Sequence, residues 1–208
     1  MKIGIDVGGT KCLGVAVDDN GKVVQQYRLP TPHADALCDT LVEIVAQLGE
    51  FKSLGIGVPG LISPEGVIRA SPNLVGAKEL ALRQMMQDRL GKKVLVENDA
   101  TCAALGEWKS GAAQGATDAW VITLGTGIGG GFISGSVLQR GAHGFAGEVG
   151  HMVVDPDGPL CPCGRNGCWE RYASGNGLSY LANGEKGEDV LSRAKDGAAD
   201  AIGVVDTF

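Results

Sequence analysis

An α/β fold of two related lobes is expected from this sequence, on two observations. An apolar strand that runs into glycines and then into a second strand occurs twice, at residues 3–17 and again at 119–138, the mark of an internal duplication. Around these units, apolar runs of strand length alternate with stretches of helical period, as in α/β layers. The 208 residues, 44% of them hydrophobic, suffice for one large domain or two small ones. The small, polar stretch Gly111–Thr117 is read as the boundary. It leaves an N-terminal α/β lobe over residues 1–115 and a partial C-terminal α/β lobe with a cysteine-rich loop over 116–208.

Each element has a local reason. Ile3–Val7 and Leu13–Val17 are short apolar strands. Asp18-Asp19-Asn20-Gly21 makes a turn into a third strand, Val23–Arg28, so the chain opens as an antiparallel meander. Residues 34–49 read as a helix with Leu37, Leu41, Ile44, Val45 and Leu48 on one face. Leu54–Val58 is a strand stopped by Pro59-Gly60, and Leu61–Val75 is read as a polar loop. Lys78–Leu90 reads as a helix, Lys93–Glu97 as a strand, and Ala100–Ser110 as a helix. Ala119–Leu124 is a strand, the glycine-rich turn Gly125–Gly131 follows, and Phe132–Leu138 reads as strand, turn, strand. Helix is expected over Glu170–Leu181, Glu188–Ala194 and from Ala198 to the last residue.

Composition excludes several classes. The net charge of −6 argues against a nucleic-acid surface. Asp6 interrupts the N-terminal apolar residues, and no apolar run approaches the ~20 residues of a membrane span, so neither signal peptide nor membrane partner is expected. Six cysteines, three of them in a metal-like pattern, suit a reducing compartment, and the expected location is the cytoplasm.

The chemistry lies in four stretches. Gly125-x-Gly127-x-x-Gly130 matches the text of a dinucleotide fingerprint, but strand rather than helix is expected after it, which disfavours that reading. A glycine turn between strands leaves backbone N–H groups open to a phosphate; a glycine hairpin without a ligand is the plainer alternative. The first turn, Gly8-Gly9-Thr10-Lys11, adds a hydroxyl and an ammonium to such donors. Asn98-Asp99 reads either as the cap of the alanine-rich helix that follows or as a carboxylate at a strand's carboxyl end, where open α/β sheets place ligands. His151, Cys161, Cys163 and Cys168 offer three thiols and an imidazole, the donor set of a closed tetrahedral zinc site. Unrelated buried thiols are the alternative, and a redox pair is disfavoured because the spacing is Cys-x-Cys. A closed site would be structural and would pin the flanking Glu148 and Glu170.

Together, Asp6–Lys11, Glu97–Ala100, Leu124–Gly131, Gly147–His151 and Cys161-x-Cys163-Gly164-x-x-Gly167-Cys168-x-Glu170 resemble the ROK family of sugar kinases, within the actin-like/hexokinase-like ATPase superfamily. The resemblance runs over essentially the whole chain, and within the family it is greatest to bacterial glucokinases. It implies a hexokinase-like ATPase fold of duplicated, ribonuclease H-like lobes, the second incomplete, and ATP-dependent phosphorylation of a hexose at its 6-hydroxyl. It implies Asp99 as general base, with Asn73, Asn98, Glu148, His151 and Glu170 on the other sugar hydroxyls. Asp6, Gly8, Gly9, Thr10 and Lys11 would serve the first phosphate loop, with Asp6 holding Mg²⁺ through water, and Thr126 and Gly127 the second. His151, Cys161, Cys163 and Cys168 would hold a structural zinc, and the protein would be a homodimer.

Thr101 stands where many relatives carry Asn, and Val75-Gly76-Ala77 lacks a common aromatic. Both departures bear on sugar preference and neither removes a catalytic group. Family members run on past the position matching Phe208, which implies a fragment or truncated product with weak sugar and ATP binding, little kinase activity and exposed apolar surface on the second lobe. A fructokinase, an N-acetylhexosamine kinase and a non-catalytic sugar-binding remnant remain as alternatives, and polyphosphate as an alternative donor. A sugar-responsive repressor is disfavoured, because the first strand begins at Ile3 and leaves no room for a preceding DNA-binding helix pair.

Overall fold

The structure, a computed structural model, describes all 208 residues. The chain divides into two compact units. The first comprises Met1–Cys102 with Arg140–Phe145, the second Ala103–Gln139 with Ala146–Phe208.

The first unit is built on a five-stranded sheet. β1 (Lys2–Val7), β2 (Lys11–Val17) and β3 (Val23–Pro30) form the antiparallel meander, and β4 (Ser53–Val58) runs parallel to β1 on its other side. Asp18 closes the β2–β3 turn by accepting from the Asn20 and Lys22 backbone N–H groups, both at 2.9 Å. A single 3₁₀ turn (Ala34–Ala36) leads into α1 (Leu37–Leu48), whose apolar stripe is buried against the alternating Ile3, Ile5 and Val7. The packing is close at Gly14 of β2. A methyl group there would lie 2.3 Å from Ile44 Cγ2 and 2.8 Å from Leu48 Cδ1. Gly14→Ala is therefore expected to cost about 1–3 kcal/mol through overpacking and to lower the thermal midpoint by about 2–12 °C, read in a melt followed by circular dichroism.

Two expectations are corrected in this unit. The loop expected over residues 61–75 and the start of the helix expected at Lys78 instead form a small antiparallel sheet of β5 (Leu61–Ile62), β6 (Ile68–Ala70) and β7 (Lys78–Leu80). A turn through Ser63–Gly66 folds β6 back on β5, and Ile62 and Ile68 go into the core, which drives the pairing. Glu79 takes a left-handed backbone, φ 51°, which ends any helix there; α2 begins later and spans Leu82–Leu90. Beyond it β8 (Val94–Asn98) pairs in parallel with β4, for a strand order β3-β2-β1-β4-β8, and α3 (Asp99–Ser110) follows at once.

The second unit holds a three-stranded antiparallel sheet in the order β11-β10-β9, from β9 (Ala119–Leu124), β10 (Ile128–Ser134) and β11 (Val137–Gln139). The glycine turn is shorter than expected: it spans Gly125–Gly127, and Gly129–Gly131 lie within β10. Ala104, Leu105 and Trp108 of α3 pack on Ile133, Leu138, Ala119 and Val121. On β9, Trp120, Ile122 and Leu124 are exposed at alternate positions, with Trp120 stacked on Phe132 at 4.5 Å between ring centroids. A 3₁₀ turn, Val149–His151, lies over β10.

The helix expected over Glu170–Leu181 is two helices, α4 (Glu170–Ala173) and α5 (Gly175–Leu181). Ser174 divides them because its hydroxyl accepts the Gly177 N–H at 2.9 Å, capping α5, while it donates to the Glu170 carbonyl at 2.6 Å. α6 (Gly187–Lys195) and α7 (Ala199–Thr207) pack with α5 around Leu178, Val190 and Ala201. No helix is long and apolar enough to cross a membrane.

Candidate active site

In the first unit the expected acidic residues stand at the carboxyl ends of parallel strands. Asp6 of β1 is opposite Gly57 of β4, which is opposite Glu97 of β8. Such strand ends are where open α/β sheets receive ligands. Asn98, and not Asp99, caps α3: its Oδ1 accepts the Thr101 N–H at 2.9 Å, and its Nδ2 donates to the Gly60 carbonyl at 3.1 Å. Each end of the amide keeps capacity for one more bond. Asp99 Oδ1 accepts the Ala100 N–H at 2.9 Å. Glu97 is paired with Arg140 at 2.5 Å.

The carboxylates feel one another. The Asp6 side chain reaches solvent but is hemmed in on one side; partial burial first, and the Asp99 charge second, hold its carboxyl above the ordinary range, with Lys11 opposing. Two carboxylates in one field form a donor set suited to a hard cation such as Mg²⁺. Cys102 is pushed up to about 12, first by burial and then by Glu97 and Asp99, so it is a packing residue and an inert thiol.

The first glycine turn is braced from behind by a residue that nothing in the sequence singled out. Thr31, just past β3, donates its hydroxyl to the Gly8 carbonyl at 2.6 Å and its N–H to the Thr10 carbonyl at 3.1 Å. Within the turn, Gly8 N–H meets the Lys11 carbonyl at 2.9 Å. The Gly9 and Thr10 amides donate to no group of the chain. Asn73 is exposed beside this turn, its Cβ 3.8 Å from where a Gly9 methyl would be. Asp6, Asn73, Asn98, Asp99 and residues 8–11 thus all fall in the first unit.

In the second unit, the turn Gly125–Gly127 is held in the same manner. The Gly175 and Asn176 N–H groups donate to the Gly125 and Thr126 carbonyls at 2.8 and 3.0 Å. Glu170 Oε2 accepts the Ile128 N–H at 2.8 Å, and a methyl on Gly127 would lie 2.3 Å from that oxygen, so a side chain there would push the carboxylate away. The Thr126 and Gly127 amides donate to no group of the chain. Glu148 is brought over β10 by an equally close approach: a methyl on Gly147 would lie 2.1 Å from the Gly130 carbonyl oxygen.

His151, Cys161, Cys163 and Cys168 converge, with their ligand atoms all within 4.8 Å of one another. Cys161 Sγ is 3.6 Å from His151 Nδ1, and Cys163 Sγ is 3.5 Å from Cys168 Sγ. Ligands ~2.3 Å from one tetrahedral centre would be roughly 3.7 Å apart, so the cluster has the dimensions of a closed zinc site. The bridges Val153↔Cys168 and Leu160↔Asn166 shape the loop. His151 Nε2 lies 3.8 Å from Glu148 Oε2, an ion-pair distance longer than a hydrogen bond. Burial pushes Cys168 up to about 12, helped by the other two thiols, and also raises Cys161. At Cys163 burial works the same way, but hydrogen bonds from the Arg165 N–H and the neighbouring thiols outweigh it and bring the thiol down to about 7. One thiolate forms readily and the others resist, a conflict that a bound dication removes.

A sequence profile of the ROK family matches residues 2–208. The glucokinase of Streptomyces coelicolor is 40% identical over 212 residues, which cover 97% of this chain and 67% of that protein. The N-acetylmannosamine kinase of Shigella boydii is 36% identical over 209 residues, covering 96% of this chain and 71% of that protein. The ROK family glucokinase from Streptomyces griseus, solved in complex with glucose and AMPPNP, superposes with a TM-score of 0.84 at 36% identity, over 98% of this chain and 73% of that one. The α/β architecture is accordingly the hexokinase-like one, and this chain spans between two thirds and three quarters of the length of these relatives. With a family match from Lys2 to the last residue, and relatives of this identity over nearly its whole length, the chain belongs to the ROK family.

Proposed function

We propose that the protein transfers the γ-phosphoryl group of ATP to the 6-hydroxyl of a hexose, with glucose as the first candidate. It is a hexose kinase by kinship, its relatives being glucokinases and N-acetylmannosamine kinases. The observation that carries the reading is the division of labour at the start of α3. Asn98 caps the helix, and the neighbouring Asp99 is placed at the carboxyl end of β8 with a single short backbone bond. Asp99 takes the proton of the 6-hydroxyl as its oxygen attacks the γ-phosphorus and the bond to ADP breaks. Each unit carries groups for the remaining hydroxyls, amides at Asn73 and Asn98 in the first and Glu148, His151 and Glu170 in the second, since carboxylates and amides are natural partners for a polyol.

Each unit has a turn whose free amides suit a phosphate: Gly9 and Thr10 in the first, with the Lys11 ammonium adding charge, and Thr126 and Gly127 in the second. Asp6 would hold Mg²⁺, which would supply charge neutralisation. His151, Cys161, Cys163 and Cys168 would hold a structural zinc, and the loop that carries Glu148 and Glu170 would then be ordered at lower cost.

An N-acetylmannosamine kinase is the second reading, favoured by the 36% identity to such an enzyme. An ADP-release assay with glucose, fructose, mannose and N-acetylmannosamine separates the two, with zinc content read on the same sample. Glucose is expected to give the highest kcat/KM. Highest turnover with N-acetylmannosamine moves the assignment to the second reading, and sugar binding without phosphoryl transfer to any sugar leaves the chain as the non-catalytic sugar-binding remnant.

A further inference from the structure

The cysteine cluster and the second glycine turn are joined by a short covalent and hydrogen-bonded path. Cys168 is a member of the cluster, and its carbonyl accepts the Arg171 N–H at 2.9 Å, anchoring the first turn of α4. Trp169 N–H bonds back to the Met152 carbonyl at 2.8 Å, next to His151. Two residues past Cys168, the Glu170 carboxylate receives the Ile128 N–H. Ser174, fully buried, ties the end of α4 to the start of α5, and from there Gly175 and Asn176 hold the Gly125 and Thr126 carbonyls. The three bonds on the turn from residues 170–176 thus come from a segment whose only metal-ligating anchor is Cys168. They fix the turn's carbonyls and the amide just past it, and leave the Thr126 and Gly127 amides unspent. A glycine turn has a wide choice of backbone conformations and needs such outside bonds to hold one.

We propose that α4 and the start of α5 make the metal-loaded cluster a brace for the glycine turn at 125–127, with Glu170 as a positioning residue for that turn. This rests on the reading of the turn as a phosphate loop and deepens it: zinc then acts on nucleotide binding as well as on sugar binding.

Residue-resolved amide hydrogen exchange on the zinc-loaded and chelator-stripped chain tests the brace directly. Stripping zinc is expected to speed exchange at Ile128 by about tenfold or more, the worth of a lost charge-assisted bond, and at Gly175 and Asn176, whose amides meet neutral carbonyls, by about two- to tenfold. Gly8, in the other unit, keeps its rate. Glu170→Ala, with zinc retained at one per chain, should speed Ile128 alike, and stripping zinc from that variant should add little at Ile128, because both act through one bond. ADP titrated into the same samples should bind about tenfold more weakly wherever the turn loosens. Unchanged exchange at these amides, either in the stripped chain or in zinc-loaded Glu170→Ala, overturns the brace, as does failure of the cluster to bind zinc. If the stripped chain unfolds throughout, zinc-loaded Glu170→Ala decides. Faster exchange without ADP binding to any sample upholds the brace and removes the nucleotide reading of the turn.

Discussion

Asp99→Asn is expected to lower phosphoryl transfer to the sugar by about 10²–10⁴-fold, the usual worth of a general base, while sugar affinity changes by no more than a few-fold. The exchange replaces one carboxylate oxygen with an amide of the same shape. The remaining oxygen still accepts the Ala100 N–H, and the α3 cap is untouched because Asn98 supplies it. What disappears is the group able to take the 6-hydroxyl proton. Single-turnover transfer of labelled phosphate to glucose is the suitable measurement, because it registers a slow enzyme and separates chemistry from product release. Isothermal titration with glucose alone reads affinity beside it. A variant that keeps more than a tenth of the rate places the base elsewhere. A variant that loses sugar binding in the same proportion makes Asp99 a sugar contact and no more. Asp6 provides an internal check: its carboxyl is held up first by burial and second by the Asp99 charge. Removing that charge should move Asp6 down toward the ordinary carboxylate range, visible in a side-chain carboxyl titration by NMR.

The chain was readable wherever one physical rule acted alone. The meander, α1 and the strands expected over Ile3–Val7 and Lys93–Glu97 follow from period and turn chemistry, and the cysteine spacing pointed to a cluster that the structure brings together. Reading failed where partners distant in sequence decide. The strand at Lys78–Leu80 exists because Ile68 is opposite Leu80, and a helical period over residues 78–90 conceals that pairing. The break at Ser174 was masked by a helical pattern on either side, although a serine ahead of Gly175 is a capping signal. At the site, composition could flag Glu170 but not the turn that it holds, 42 residues away. Thr31 was invisible for the same reason: its hydroxyl matters only because β3 ends beside Gly8. The choice between Asn98 and Asp99 as cap is a matter of one residue of register, which spacing does not resolve and the Thr101 N–H does.

Cys168→Ser should take bound zinc from about one per chain to below about a tenth, and lower the melting midpoint of the zinc-loaded protein by about 10 °C. Cys168 is fully buried, it pairs with Val153 across the loop, and it is the member of the cluster from which α4 departs. A ligand bound only to the folded state, at concentrations ~1,000 times its Kd, contributes about 4 kcal/mol, and for a chain of this size that corresponds to roughly 8–16 °C. Cys38→Ala is the matched control. Cys38 is also buried, but it lies in the core of the first unit against Met86, outside the cluster, and zinc content should stay near one per chain. The pH dependence follows from the thiols. Zinc binds thiolates, so binding releases protons and tightens as pH rises. Cys163, near 7, is largely ionised by pH 8, whereas Cys168, near 12 without metal, gives up its proton only to the zinc. Affinity for zinc should therefore rise steeply from pH 6 to 8 and go on rising above 8, where a site of ordinary exposed thiols would begin to level off. Full zinc content in Cys168→Ser, or an affinity flat across that range, would remove zinc from the account and leave the three thiols as a packing cluster.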